Sequence, residues 1–187
     1  MHFRKASKQD IPLILELQEK NLLMNLQTHE KQDGFLSIKY SAAQLNELNQ
    51  GLGIFIAEKQ YHLAGYLIAQ TLDFANQSAL ISSMARKFSD VQFNGRPLSS
   101  FNIFIYGPVC VAKESRGQGV LEGLYEAMLR TLQHYDIGVA FVSAENSRSL
   151  NAHRKKLGMT VIDNFEFNGQ QYNILVFAIG SSGIENQ

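Results

Sequence analysis

The distribution of apolar and polar positions along the chain predicts strands at both ends and in the middle, with amphipathic helices between them. Runs rich in β-branched and aromatic residues predict strands over residues 3–6, 53–58, 63–71, 102–111, 137–145, 161–167 and 171–179. Apolar residues at helical spacing, with their start and stop signals, predict helices that begin at Asp10 and Ser41, span residues 73–91 and 120–132, and run from Asn146 to Gly158. No internal repeat divides the chain.

Glycine and proline positions within strands predict local departures from regular pairing. Gly107 and Pro108 interrupt the strand over residues 102–111, and Gly65 lies within another. Proline cannot donate to a sheet ladder and glycine marks bulges or close backbone approaches. Strand pairing should therefore loosen at Gly107, and Gly65 should mark either a bulge or the close approach of another backbone. The freed peptide groups of residues 109–111 could then pair with an extended, amide-containing ligand, as an added strand does.

A glycine-bearing turn follows this strand. Gly117 and Gly119 come immediately before a strongly helical pattern, and Arg116 precedes them. The first N–H groups of a helix lack partners within the helix and carry partial positive charge, so this turn suits a phosphate or diphosphate. Two alternatives remain open, an ordinary tight connection and a nucleotide-binding module, although the chain has neither a P-loop nor a complete dinucleotide-binding glycine motif.

The stretch Val109, Cys110 and Val111, followed by Arg116-Gly-Gln-Gly119-Val, resembles the signature of the GNAT superfamily of acyl-CoA N-acyltransferases. Leu121 departs from the glycine or alanine that ends the family's turn. A second stretch resembles the other family signature, with an asparagine, a small residue, an aromatic residue and a closing glycine. Here Asn146 and Ser149 match, His153 replaces the common tyrosine, and one extra residue precedes Gly158.

The resemblance implies an α/β (α+β) fold with a mixed, mostly antiparallel central sheet, a splayed parallel strand pair and flanking helices. It covers nearly the whole chain, so residues 1–180 are expected to form one domain, and the polar residues 181–187 a flexible tail. The length and the 45% hydrophobic content also favour a single core.

The implied activity is transfer of an acetyl group from acetyl-CoA to a primary amine of a small molecule or peptide, by direct attack within a ternary complex. The alternative is a catalytically silent acyl-CoA sensor or interaction protein. The implied CoA-binding residues are Val109, Cys110, Val111, Arg116, Gly117, Gln118, Gly119, Val120, Leu121, Glu122 and Asn146. Arg154, Lys155 and Lys156 form either a solvated face or a contact to the 3′-phosphate of CoA.

Acyl transfer to an amine requires an oxyanion donor and groups that move protons. The backbone amide of Val111, or that of Val109, is the expected oxyanion donor. His153 takes the position of the family's tyrosine acid, with a helix-surface histidine as the alternative. Glu145 and Tyr106 are candidate bases or substrate contacts.

The charge balance and the cysteine content limit the classes of partner that we expect for this chain. The 17 basic and 17 acidic residues balance, so no global field favours nucleic acid or an anionic membrane. Cys110 is the single cysteine, which excludes an intrachain disulfide and is expected to be a small core residue of a cytoplasmic protein. The histidines show no metal-ligand spacing, so no metal is expected. The expected partner is the amine acceptor, with a homodimer as a further candidate.

Residues 73–100 form a longer connection than two neighbouring strands need. Residues 73–91 carry apolar positions at helical spacing, and Gly95 and Pro97 predict a loop over 92–100. This excursion is predicted to be either a lid or specificity element, or packing at the surface.

Overall fold

The fold is that of a computed structural model, which describes residues 1–27 and 34–180. The predicted tail over 181–187 lies outside these residues. In the described chain, the strands of the main sheet lie in the order β1-β2-β3-β6-β7-β9-β8, and a separate hairpin pairs β4 with β5. The strands are β1 His2–Lys5, β2 Gly53–Lys59, β3 His62–Thr71, β4 Gln92–Phe93, β5 Arg96–Pro97, β6 Ile103–Val111, β7 Ile137–Ser143, β8 Thr160–Phe167 and β9 Gln170–Ala178.

Every neighbouring pair in the main sheet is antiparallel except β6 and β7, which run parallel. The predicted mixed sheet with one parallel pair is therefore confirmed. The helices are α1 Ile11–Asn21, α2 Ala42–Gln50, α3 Leu72–Ala75, α4 Ala79–Ala85, α5 Val120–Thr131 and α6 Ser147–Leu157. Within the described residues, no helix is both long enough and apolar enough to cross a membrane.

The two faces of the sheet are covered by different helices, because successive side chains of a strand point to opposite faces. On one face, Phe104 and Leu175 pack with the apolar side of α5. On the other, Tyr66 and Ile68 pack with α1 and α2, and Val139 packs with the segment that contains α4. The core therefore has two layers, one on each side of the sheet.

The side chain of Asp10, which is predicted to cap the first helix, instead contacts Ser7 and Arg4. Asp10 stands at the start of α1, but its carboxylate makes no cap bond to the helix. It accepts hydrogen bonds from the backbone N–H and hydroxyl of Ser7 and pairs with Arg4 at 2.8 Å. Arg4 also contacts Glu58 at 3.1 Å. This cluster ties β1 to the entry of α1 and to β2.

The prediction of one helix over residues 73–91, in the excursion that spans 73–100, is wrong. The chain forms the short helices α3 and α4, separated by the polar run Asn76 to Ser78. Polar residues of this kind favour turns over helix interiors, and the Ser82 hydroxyl of α4 donates to the Asn76 carbonyl in the break at 2.7 Å. Ile81, Met84 and other apolar residues of the excursion are buried in one cluster with residues of β7 to β9.

Candidate active site

The parallel strands β6 and β7 separate halfway along their length. Their pairing runs from Ile103 opposite Ile137 to Ile105 opposite Val139 and goes no further. On the other edge of β6, the register with β3 shifts between Leu67 and Ala69, across from Gly107 and Pro108. Loosened pairing at Gly107 is thereby confirmed. The separation leaves a wedge-shaped gap between the second half of β6 and β7.

The alternation of peptide groups along β6 determines which amides face this gap. Ala112 donates its N–H to the Ala64 carbonyl of β3 at 2.9 Å, and Cys110 lies opposite Tyr66. In an antiparallel ladder, every second residue turns its N–H to the same neighbour. The N–H groups of Val109 and Val111 therefore lie on the β7 edge, beyond the last residue pair with β7.

The glycine turn closes one end of the gap. Gly117 and Gly119 have φ of 76° and 78°, in the left-handed region, and a Cβ at either position would meet nothing within 4 Å. α5 begins directly after Gly119, so its first N–H groups face the opening beside the turn. Gly65 brings the elements together, because a Cβ there would lie 2.7 Å from the Cys110 carbonyl and 2.9 Å from a methyl group of Val120. The predicted close approach is confirmed.

A cavity of about 490 Å³, which we call the outer cavity, lies between the end of β6, the glycine turn and α6. It collects most of the predicted CoA-binding residues, namely Val109, Cys110, Val111, Arg116, Gly117, Gly119, Val120, Leu121, Glu122 and Asn146. Gln118 does not line it. The Gln118 side chain instead donates to the Glu114 carbonyl and accepts a hydrogen bond from Lys59 at 2.8 Å.

Basic side chains surround the outer cavity. Lys155 and Lys156 line it, whereas Arg154 does not. Lys156 pairs with Glu122 at 2.9 Å and lowers the pKa of that carboxyl group. Arg116 donates to the Val111 carbonyl at 3.3 Å and to the Asn21 side chain, which holds its guanidinium beside the end of β6. Two of the three residues of the basic run therefore line the outer cavity, and their contact with the 3′-phosphate of CoA stays a prediction.

A smaller cavity of about 70 Å³, the inner cavity, occupies the gap itself between β6 and β7. Residues 35–38 also line it, and Asn146 holds them in place because its side-chain amide donates to the Phe35 carbonyl at 3.2 Å. The Asn146 oxygen also accepts the Ser149 N–H at the start of α6. Residues 35–38 are functional candidates that the sequence did not reveal, since their segment carries no motif. Gln70 is another, and its amide donates to the Gly107 carbonyl at 2.9 Å.

His153 lies in the wall of both cavities. Its side chain is buried, with 3% of its surface exposed, so the helix-surface alternative is wrong. Nδ1 lies 2.7 Å from the Ser149 carbonyl, which can only accept, and this fixes the N–H of a neutral ring on Nδ1. Burial lowers the pKa of His153, although the hydrogen bond to Ser149 partly opposes that shift. The neutral ring therefore carries its lone pair on Nε2.

Tyr106 contacts the His153 ring edge-on, with centroids 5.5 Å apart, and also lines the inner cavity. Burial raises its pKa well above the ordinary value, so the phenol stays protonated. Glu145, in contrast, is exposed and lines neither cavity, so it lies outside the site it was predicted to serve. The Cys110 side chain packs in the core, where burial raises its pKa to about 12.

No protein-family model matches the chain, and no curated protein matches its sequence. Solved structures do match. A ribosomal-protein-alanine N-acetyltransferase from Brucella melitensis is 14% identical with a TM-score of 0.62, over 95% of this chain and 99% of that one. An acetyltransferase of the GNAT family from Streptococcus pneumoniae is 13% identical with a TM-score of 0.64, over 96% and 99%. A Salmonella typhimurium protein bound to its cofactor acetyl-CoA is 16% identical with a TM-score of 0.59, over 99% and 97%.

Proposed function

We propose that this protein, whose chain has the GNAT fold, is an N-acetyltransferase that moves an acetyl group from acetyl-CoA to a primary amine. The observation that carries the proposal is the continuous path from the amides of Val109 and Val111 to the glycine turn at the start of α5. Acetyl-CoA matches this path because it joins an extended chain of amides to a diphosphate. When bound, it supplies an activated acyl group on a thiol of moderate leaving ability.

The phosphate end of the path is suited to anions in two ways. The left-handed conformations of Gly117 and Gly119 leave open space above the turn, and the first N–H groups of α5 add partial positive charge. Arg116, Lys155 and Lys156 add side-chain cations around the same cavity. Leu121 departs from the family signature, but it also lines the cavity and supplies the same backbone amide.

The acyl end offers an oxyanion donor. An N–H of Val109 or Val111 that hydrogen-bonds the thioester oxygen stabilises the tetrahedral intermediate, by roughly 3 kcal/mol per well-placed donor. The acceptor must attack as a free amine, although an alkylammonium has a pKa of about 10.4 in water. The sequence predicts an acid at His153, but its neutral ring carries a lone pair and no proton on Nε2, so we assign it instead to accept the proton that nitrogen loses.

Calorimetry of CoA binding tests the proposal through one glycine substitution and a matched control. Gly119→Glu places bulk and negative charge at the phosphate end, and we expect it to weaken CoA binding at least about tenfold, or about 1.4 kcal/mol. Gly95→Glu is the control, because Gly95 has a similar φ of 75° and equally open surroundings but lies in the β4–β5 hairpin. Equal CoA affinity in the two variants would overturn the assignment.

Turnover separates an enzyme from a silent acyl-CoA sensor on the same fold. The purified protein is incubated with acetyl-CoA and a panel of primary amines, and released thiol is measured. We expect thiol release that depends on at least one amine. CoA binding with no amine-dependent release across the panel would favour the sensor.

A further inference from the structure

We propose that Gln70 is a positioning residue for the acyl end of the site. Its side-chain amide holds β6 at Gly107 in the conformation that turns the Val109 N–H toward the gap beside β7. The inference rests on the proposed function and deepens it, because this N–H is one of the two expected oxyanion donors. Gln70 acts through the backbone of β6 and not on the reacting atoms themselves.

The irregular part of β6 is a bulge against β3. Gly107 and Pro108 fall opposite the single residue Ile68, so two residues of one strand face one residue of the other. Gly107 has φ of 102°, in the region that glycine enters without steric cost. Regular pairing is interrupted there, so the Gly107 carbonyl needs a hydrogen-bond donor from outside the ladder.

Gln70 of β3 supplies that donor. Its Nε2 donates to the Gly107 carbonyl at 2.9 Å. A carbonyl can only accept, so the nitrogen of the amide must be the atom that faces it. The side chain is 2% exposed and follows the buried apolar residues Ile68 and Ala69. Because a buried amide is costly unless its hydrogen bonds are made, packing alone would favour an apolar residue at this position.

A chain of buried polar groups fixes the Gln70 amide from its other side. The Tyr40 hydroxyl lies 3.1 Å from Nε2 and 3.3 Å from Oε1 of Gln70. The amide of Gln18, on α1, bonds both the N–H and the carbonyl of Tyr40 at 2.9 Å. All three side chains are buried. The Gln70 amide is therefore held in place against the Gly107 carbonyl.

The bond to Gly107 restricts the direction of the Val109 N–H because few torsions separate the two groups. The orientation of the Gly107 carbonyl sets the plane of the peptide that joins it to Pro108. The ring of Pro108 fixes its φ at about −65°, which leaves ψ of Pro108 as the soft torsion before the Val109 N–H. Gln70 and Val109 both line the inner cavity. A donor misplaced by about 1 Å can cost on the order of a hundredfold in rate.

Infrared spectroscopy of bound acetyl-CoA, with a heavy carbon isotope at its carbonyl, tests the proposal without an acceptor. A hydrogen bond from Val109 polarises the thioester carbonyl and lowers its stretching frequency. Gln70→Met removes the amide at similar volume, so we expect the carbonyl band to lie at higher frequency than in the unmodified protein. The affinity for CoA should change little, because Gln70 does not line the outer cavity.

Turnover and a matched control separate positioning from packing. With the amine that gives the fastest thiol release in the panel, Gln70→Met should lower kcat about tenfold to a hundredfold. Gln18→Met is the control, because it removes an equally buried amide with two hydrogen bonds that lines neither cavity. It should reduce the free energy of unfolding as Gln70→Met does, but leave the carbonyl band where it is in the unmodified protein.

Gln70→Glu is the conservative variant, and it decides the question if Gln70→Met does not fold. Burial raises the pKa of a carboxyl group, so at about pH 6 the new side chain is protonated, can donate to the Gly107 carbonyl and should keep the band low. At about pH 9.5 the ionised carboxylate can only accept, and the band should move to higher frequency. The unmodified protein should show no such change over this range.

The outcomes distinguish the two proposals. If acetyl-CoA does not bind the unmodified protein, the proposed function fails. If it binds and Gln70→Met leaves the carbonyl band unchanged, or if Gln18→Met shifts the band equally, the positioning role of Gln70 fails while the proposed function stands. A band in Gln70→Glu that does not depend on pH would also overturn this role.

Discussion

Burial controls the protonation of the single side chains at this site, and His153 shows the consequence for catalysis. With Nδ1 bonded to Ser149 and the pKa lowered by burial, the ring is neutral near pH 7 and becomes charged only in more acidic solution. Protonation of Nε2 removes the lone pair that accepts the amine proton. The rate should therefore fall on the acid side, with its midpoint below the ordinary histidine pKa of about 6.5.

Replacement of His153 by phenylalanine tests this role. We expect His153→Phe to lower kcat by roughly ten- to a thousand-fold, with little change in CoA affinity, because the ring acts on the proton and not on the phosphates. The acid limb of the pH–rate profile should disappear with it. An unaltered kcat together with an unaltered profile would reduce His153 to a packing residue.

The hydroxyl of Tyr66, which has no partner among the described residues, leads to a prediction about the free energy of unfolding. The group is fully buried, and none of the described residues hydrogen-bonds it. Removal of a buried group that makes no hydrogen bond relieves a desolvation penalty, so Tyr66→Phe should raise the free energy of unfolding by up to about 1 kcal/mol. Urea denaturation of both proteins measures this change in the free energy of unfolding. A loss of stability would mean that the hydroxyl has a partner in solution.

The carboxyl group of Asp10 should make the stability of the protein depend on pH. Its hydrogen bond and ion pair with Arg4 lower the pKa of its carboxyl group to about 2, against an unfolded value near 3.8. Because the folded pKa is the lower one, the stabilisation is complete above about pH 5 and is lost as pH falls through the folded pKa. Asp10→Asn should reduce the free energy of unfolding by about 1 to 2 kcal/mol at pH 7 and by almost nothing near pH 2. A difference that does not change with pH would contradict this account.

At the scale of helices and strands, Asn146 couples the start of α6 to the segment that borders the inner cavity. Its oxygen caps α6 and its amide holds the Phe35 carbonyl. Asn146→Ala should cost about 1 to 2 kcal/mol of stability and also lower turnover. Ser41→Ala removes the cap of α2, which has no contact with either cavity, so it should cost about 1 kcal/mol and leave turnover unchanged. If Asn146→Ala and Ser41→Ala change turnover equally, Asn146 does not couple α6 to the inner cavity.

The elements that the sequence predicts best are those with local signals. The interruption at Gly107, the close approach at Gly65 and the helix start after Gly119 each depend on what glycine or proline allows in one place, and the structure has all three. The helix over 73–91 failed because apolar spacing continued through a polar break at Asn76. The contact of Phe35 with Asn146 joins residues far apart in sequence, and no local pattern marks it.

Across the whole molecule, balanced charge conceals an uneven distribution. The chain has 17 basic and 17 acidic residues, yet Arg116, Arg148, Lys155 and Lys156 all line the outer cavity. Among the described residues, Glu122 is the acidic residue that lines it. Attraction between exposed charges is screened by salt, whereas the hydrogen bonds of the amide path are not. The local cluster should therefore make CoA binding sensitive to salt in a protein with no net charge.

We expect the dissociation constant for CoA to rise about tenfold between about 0.05 M and about 0.5 M sodium chloride. Lys155→Gln should weaken binding at low salt and flatten this dependence, because Lys155 lines the cavity. Arg130→Gln makes the same change of charge at the far end of α5, away from the glycine turn, and should do neither. If both variants shift the salt dependence equally, the attraction comes from the overall charge of the molecule and not from the outer cavity.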